Sequence, residues 1–343
     1  MRKLGVGVVG VGEMGRRHAE NLRRNVPEAR LIAIADVSED RARRTAEELE
    51  LDLYYSSLDA MLENKEIEAV VIATPDKFHS RAIESAAAAG KDILCEKPLA
   101  LNLPDAHAAI AAVSKAGTRL QVGFMRRYDP GYAAAMQRIE AGEIGNQVIF
   151  KSIGRDKDQP PLAAYESNVN GMIFYTNTIH DFDLARWLMQ DEVTSVQACT
   201  TSTIRPEVAK YGDVVASLVN LQYRSGAIGN IESYAQAVYG YDVRTEIVGS
   251  KGSILVGTLD RVPAVFMTAR GGEQMLADHF LSRFADAYLA EMKDFVHTIL
   301  TDREPRITGE DGLKALAIAV AAEESHKRSL PIAVEHEQAY STS

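Results

Sequence analysis

The chain has 343 residues, of which 46% are hydrophobic and 25% charged, and a formal net charge of −10. That length exceeds what one hydrophobic core usually supports, so two domains are expected in a compact globular protein. The acidic balance argues against nucleic acid or an anionic membrane surface as partner, since both recruit basic patches. Only two cysteines occur, Cys95 and Cys199. They are too few for a disulfide framework or a thiolate cluster and fit a reducing compartment. No stretch approaches about eighteen consecutive apolar residues, so no membrane span is expected. Met1-Arg2-Lys3-Leu4 runs straight into a strand-like segment without a signal-peptide core, and the cytoplasm is the expected location.

Over the first part of the chain, short apolar runs alternate with amphipathic stretches. Val6 to Val9 predicts a strand, 13–25 a helix, Leu31 to Ala35 a strand ending on Asp36, and 39–50 a helix. Ala69 to Ala73 is a third buried-strand pattern, closed by Thr74-Pro75. A helix near 79–89, a strand at Asp92 to Cys95, a helix near 103–116 and a strand at Arg119 to Gly123 follow. This alternation predicts a parallel, doubly wound sheet with crossover helices. The character changes after Pro130. A helix over 130–141 is followed by strand patterns at 147–153, 194–202, 214–223, 226–233, 243–249, 252–257 and 263–268, several alternating with period two. Helices are predicted near 178–189, 284–301 and 309–328. The expected organisation is a dinucleotide-binding domain over 1–123 and an α/β domain over 124–343 built on a large, mostly antiparallel open-faced sheet. The last helix is expected to pack back on the first domain.

Gly10-Val11-Gly12-Glu13-Met14-Gly15 is a GxGxxG directly after the first strand and at the start of the first helix. The first glycine permits the tight turn, the second lets the backbone approach a pyrophosphate, and the third lets helix pack on strand. The helix N-terminus offers N–H groups and a positive dipole end to that pyrophosphate. Asp36 closes the second strand about 20 residues on, where a ribose-binding carboxylate is expected. A carboxylate there favours NAD over NADP, and Arg41 and Arg43 blunt the preference.

Thr74-Pro75-Asp76-Lys77-Phe78-His79 and Glu96-Lys97-Pro98 resemble two signatures of the glucose–fructose oxidoreductase/inositol dehydrogenase/rhizopine catabolism family. The segments 123–132, 178–188 and 239–249 look most like its inositol dehydrogenase branch. The resemblance spans nearly the whole chain. It implies a Rossmann domain, a second α/β domain whose sheet often mediates dimers or tetramers, a nicotinamide cofactor, and a carbohydrate or polyol substrate. It also implies that Lys97 and His180 are catalytic. The same chemistry follows from first principles: oxidising a secondary alcohol needs hydride removal, a base of imidazole type, and a cation to stabilise developing alkoxide. By resemblance, Thr74, Pro75, His79, Glu96, Lys97 and Arg126 attend the cofactor, with His79 shaping the cofactor loop. Lys97, Arg127, Asp156, Thr176, Asn177, His180 and Tyr239 attend the substrate. Asp183 either orients the imidazole or favours the helix start.

The chain departs from the inositol branch at two places. Thr176 stands where an aspartate is usual, and Gly154 stands where a histidine commonly precedes the arginine corresponding to Arg155. These changes turn the expectation from free myo-inositol towards a modified, larger or anionic sugar, because unmatched buried polar groups cost about 1–3 kcal/mol each. The same resemblance admits two other courses. One is NAD-dependent glycoside cleavage by transient oxidation, elimination and re-reduction; the other is a non-catalytic sensor. No His/Asp/Glu group has metal-ligand spacing in the sequence, so no metal is expected.

Overall fold

The computed structural model describes residues 2–167, 173–257, 261–269, 271–277 and 279–335. In chain order the elements are β1 (Leu4–Val9), α1 (Glu13–Arg24), β2 (Ala29–Ala35), α2 (Glu39–Glu48), β3 (Leu53–Tyr55), α3 (Leu58–Leu62), β4 (Ala69–Ile72), α4 (His79–Ala88), β5 (Asp92–Glu96), α5 (Leu103–Ala116) and β6 (Leu120–Gly123). There follow α6 (Pro130–Glu140), β7 (Gln147–Arg155), α7 (Leu162–Ser167), α8 (Ile179–Met189), β8 (Val193–Thr201), β9 (Ala216–Tyr223), β10 (Ile228–Tyr234), β11 (Asp242–Gly249) and β12 (Ser253–Val256). The chain continues through β13 (Arg261–Thr268), β14 (Gly271–Leu276), α9 (Phe280–Arg283), α10 (Ala285–Leu300), α11 (Gly309–Arg328) and β15 (Ile332–Ala333). It forms two compact units. One takes the residues up to Tyr128 together with Asp286–Leu316; the other takes Asp129–Ala285 and the chain from Ala317 onwards.

The first unit carries a six-stranded sheet in the order β3-β2-β1-β4-β5-β6, and every pairing in it is parallel. The order reverses between β1 and β4, the topological switch point at which such sheets bind dinucleotides beyond their strand ends. β1 and β4 are buried along their whole length, as expected of strands covered by helices on both faces. Local chemistry sets the helix ends. Asn102 caps α5 by accepting from the Asp105 N–H at 2.9 Å, and Gly117 closes it in the left-handed region. Helix α10 contributes Met292, Phe295 and Val296 to a core that also holds Leu22 of α1, Ile34 of β2, Val71 of β4 and Leu94 of β5.

The second unit is built on a seven-stranded sheet in the order β12-β11-β7-β10-β9-β8-β15. β10 and β7 run parallel and the other neighbours antiparallel. The period-two patterns are borne out: β9 and β10 alternate buried with more exposed positions along their length. Asp129 caps α6, accepting from the N–H groups of Gly131 and Tyr132 ahead of the helix that Pro130 opens. Arg283 also pairs with the Asp129 carboxylate, at 2.8 Å. Among the described residues no helix is long and apolar enough to cross a membrane.

Truncating Phe295 to alanine removes a fully buried ring from the first unit's core. It is expected to lower unfolding free energy by about 3–5 kcal/mol, measured by urea denaturation with intact secondary structure at zero denaturant.

Candidate active site

The first unit's site begins where β1 stops. Gly10 has φ of +81°, and a Cβ there would stand 2.5 Å from the Ala73 carbonyl oxygen. A Cβ at Gly15 would stand 1.8 Å from the Gly10 oxygen, so helix and turn touch backbone to backbone. Gly12 is different. A Cβ there meets nothing within 4 Å, so the fold itself does not demand glycine at that position. Gly12 is the N-cap of α1, and no side chain caps the helix. Open space in front of a helix N-terminus suits a pyrophosphate, which would need the room and the exposed N–H groups. Glu13 and Met14 form the first turn of that helix.

Asp36 is buried, and backbone groups hold it. Its Oδ2 accepts from the Val11 N–H at 3.0 Å and its Oδ1 from the Ser38 N–H at 2.9 Å. The Arg41 guanidinium lies 3.3 Å from Oδ2. The charge expected to blunt a preference for NAD is therefore paired with the carboxylate that creates it. Beside them opens a cleft of about 330 Å³ lined by Gly10, Asp36, Arg41, Thr74, Pro75 and Phe78, among others. Thr74 Oγ1 is buried there with no hydrogen-bond partner among the described residues. An orphaned hydroxyl, an open glycine and an uncapped helix start together fit a dinucleotide. His79 is buried, with Nδ1 2.7 Å from the Pro98 carbonyl oxygen and Nε2 2.8 Å from that of Thr74. It thereby ties the cleft-lining loop to the turn that carries Lys97.

Lys97 is partly buried, and its peptide bond to Pro98 is cis. Its N–H donates to Glu96 Oε2 at 3.3 Å. Glu96 is buried, and its other oxygen lies 2.6 Å from His18 Nε2. Burial pushes the Glu96 carboxyl up, but the His18 hydrogen bond and the charges of His18, Lys97 and His79 outweigh it. The group is held below the usual carboxylate range. Glu291 completes a buried group whose ligand-type atoms all lie within 4.8 Å of one another. No spacing at positions 18, 96 and 291 reveals this in the sequence. Arg126 and Arg127 are both buried, and Arg127 Nη2 donates to Asp311 Oδ1 at 3.0 Å.

In the second unit the elements around His180 are unusual. Ile173–Thr178 forms a π-helical turn running straight into α8, a wide turn often found at functional positions. The Thr178 hydroxyl donates to the Ile173 carbonyl at 2.8 Å and lies 2.8 Å from Ser233 Oγ. Thr176 and Asn177 are half-buried in this turn. The Asn177 amide donates to the Asp156 carboxylate. The Asp156 backbone is fixed in turn by Tyr234 at 2.9 Å and Ala237 at 2.7 Å. His180 is buried at the second position of α8. Behind it, Asp181 accepts from the Ser152 hydroxyl at 2.6 Å. Ser152 lies 3.1 Å from Thr245 Oγ1, which lies 2.9 Å from the Tyr132 hydroxyl. The sequence reading missed this network; buried serine and threonine partners on three other elements leave no local pattern. Asp183 is buried as well. The Tyr239 hydroxyl donates to Asp242 Oδ2 at 2.9 Å and accepts from Arg155 at 2.6 Å. Asp156 and Asn177 are thus joined directly, while Tyr239 joins Arg155, the residue before Asp156.

Two family models match. One describes an oxidoreductase family with an NAD-binding Rossmann fold and matches residues 4–124. The other describes the family's C-terminal alpha/beta domain and matches 136–334. The chain belongs to the glucose–fructose oxidoreductase/inositol dehydrogenase/rhizopine catabolism family. As a member it is an NAD-dependent oxidoreductase. It is 37% identical over 333 residues to the scyllo-inositol 2-dehydrogenase (NAD(+)) of Bacillus subtilis, covering 97% of each chain. It is 38% identical over 331 residues to the myo-inositol 2-dehydrogenase of Thermotoga maritima, covering 95% of this chain and 98% of that one. Among solved structures it resembles the scyllo-inositol dehydrogenase of Lactobacillus casei with bound NAD(H) and scyllo-inositol. The TM-score is 0.91 at 29% identity, covering 97% of this chain and 99% of that one. It also resembles a myo-inositol dehydrogenase of Corynebacterium glutamicum, with a TM-score of 0.89 at 31% identity and the same coverage.

Because a side chain at Gly12 enters only open space, Gly12→Val is expected to keep the fold, at a cost of about 1 kcal/mol for the poorer N-cap. NADH binding, followed by fluorescence titration, should weaken at least about tenfold through lost access to the helix N-terminus.

Proposed function

We propose that this family member oxidises one secondary hydroxyl of an inositol or an inositol-like cyclic polyol. The observation that carries the reading is the near full-length similarity to enzymes whose names specify inositol. The Asp156–Asn177 pair supports it. The carboxylate missing at Thr176 is compensated by Asp156, held by the amide of the next residue. That arrangement offers an acceptor to a ring hydroxyl and moves the expectation back from bulky or anionic sugars towards the polyol itself. The same similarity favours net oxidation over redox-neutral glycoside cleavage.

In this reading Gly10, Gly12 and the first turn of α1 bind the pyrophosphate. Asp36 accepts from ribose hydroxyls, and Thr74 and Pro75 line the adenosine cleft, with NAD preferred over NADP. Bound NAD supplies the hydride acceptor. The Lys97 ammonium orients the reacting hydroxyl and stabilises developing negative charge on its oxygen. His180 takes the hydroxyl proton at an imidazole nitrogen. The carbinol thereby loses a hydride from carbon and a proton from oxygen, and a ketone results. Arg126 serves the cofactor; Arg127, Asp156, Thr176, Asn177 and Tyr239 serve substrate orientation. We further propose that residues up to about Gly123 form the cofactor domain and the rest the substrate domain, except that Asp286–Leu316 packs into the first compact unit. The protein works in the cytoplasm as a dimer or tetramer assembled through the second unit's sheet.

Purified protein mixed with NAD and, separately, myo-inositol, scyllo-inositol, glucose and aryl glycosides tests this. NADH accumulating in step with ketone from an inositol supports it. Free sugar released from a glycoside without net NADH overturns it. His180→Ala should lower kcat by about 10²–10⁴-fold with NADH binding unchanged by titration.

A further inference from the structure

We propose that Glu291, on α10, is a positioning residue for Lys97 that acts through Glu96. The proposal rests on the reading of Lys97 as the substrate-facing ammonium. It deepens that reading by identifying what holds the lysine's backbone.

Glu291 is fully buried, and neither of its carboxyl oxygens has a hydrogen-bond partner among the described residues. Such a group in a native core calls for an explanation. Its neighbours supply one. From α1 comes His18, whose Nε2 is bonded to Glu96 and whose ring meets the Tyr288 ring edge-on, centroids 5.9 Å apart. From β5 comes Glu96, whose second oxygen accepts from the Lys97 N–H. On its own helix stands Asp294, bonded to the Tyr128 hydroxyl at 2.7 Å. His79 acts on Glu96 by charge alone. Gly123 leaves the room: a Cβ there would lie 3.0 Å from Glu96 Oε2.

Two carboxyl groups with atoms this close, in a buried site, do not both ionise, because mutual repulsion adds to the loss of hydration. Glu96 has an imidazole and a peptide N–H to stabilise a negative charge. Glu291 has neither. The proton therefore resides on Glu291, and burial, with the charges of Glu96 and Asp294, pushes its carboxyl well up. A neutral acid fills the space behind the His18–Glu96 pair and adds no second charge. Glu96 is then left with one negative charge and one orientation, and that orientation fixes the start of the Lys97-Pro98 turn.

The three side chains are also of metal-ligand type, so the test separates a proton from a cation. Infrared difference spectra of the whole enzyme, wild type against Glu291→Gln, should show a protonated-carboxyl carbonyl band that the variant lacks. Elemental analysis should find no stoichiometric divalent metal. Glu291→Gln, neutral and of the same shape, should keep kcat within about threefold and leave its pH profile in place. Glu291→Ala should lose about tenfold or more in kcat with little change in KM for NAD, as expected when a catalytic group is displaced. Absence of the carbonyl band, a bound metal lost with Glu291, a pH profile moved by the glutamine, or an alanine variant with normal kcat would each overturn the proposal. If Lys97→Ala retains activity, the lysine reading fails instead, while the infrared band still reports on Glu291.

Discussion

Backbone packed on backbone at the end of β1 is the constraint on which the cofactor side of this protein depends. Gly15 touches the Gly10 carbonyl and Gly10 touches Ala73, at separations no Cβ tolerates. Those contacts bring α1 down onto the strand ends and leave its N-terminus facing the gap where the sheet order reverses. Asp36 then ties this turn to β2 through the Val11 N–H. His79 ties the end of β4 to the turn after β5. Each wall of the cleft is thus bonded to the next, an arrangement that would leave a dinucleotide little to organise.

Each unit also holds a layer of buried polar groups. In low dielectric such groups hold one another more tightly than in water and cost more when unmatched. His18, Glu96 and Glu291 form one such layer in the first unit. Asp181, Ser152, Thr245 and Tyr132 form another in the second, anchoring the residue next to His180 against the sheet. In both, the proposed catalytic side chain is adjacent in sequence to a buried carboxylate whose bonds leave it little freedom. The lysine and the histidine are placed from behind, by neighbours with no chemistry of their own to perform.

Much of this was legible in the sequence where the deciding forces are local. The pattern near 103–116 matches α5, whose ends are set locally, by Asn102 as its cap and by glycine in the left-handed conformation at position 117. Strands β9 and β10 show in their period-two alternation because one face of that sheet is more exposed than the other. Other features were invisible. β3 has three residues, none buried, and is a strand only because β2 offers it an edge. The π-helical turn before α8 has no propensity signature. It is set by Thr178 bonding back to Ile173 and across to Ser233.

The sequence by itself determined the dinucleotide turn, the identity of the acid that closes β2, and the division of the chain into parallel and largely antiparallel sheets. Each is a matter of backbone sterics or of hydrophobic period within about a dozen residues, and such signals survive in one dimension. Only the tertiary structure decided that Arg41 is spent on Asp36, that Asn177 holds Asp156, and that His18, Glu96 and Glu291 share one buried volume. Those outcomes depend on distance and desolvation between residues up to 273 positions apart, counting from 18 to 291, and no local pattern records either quantity.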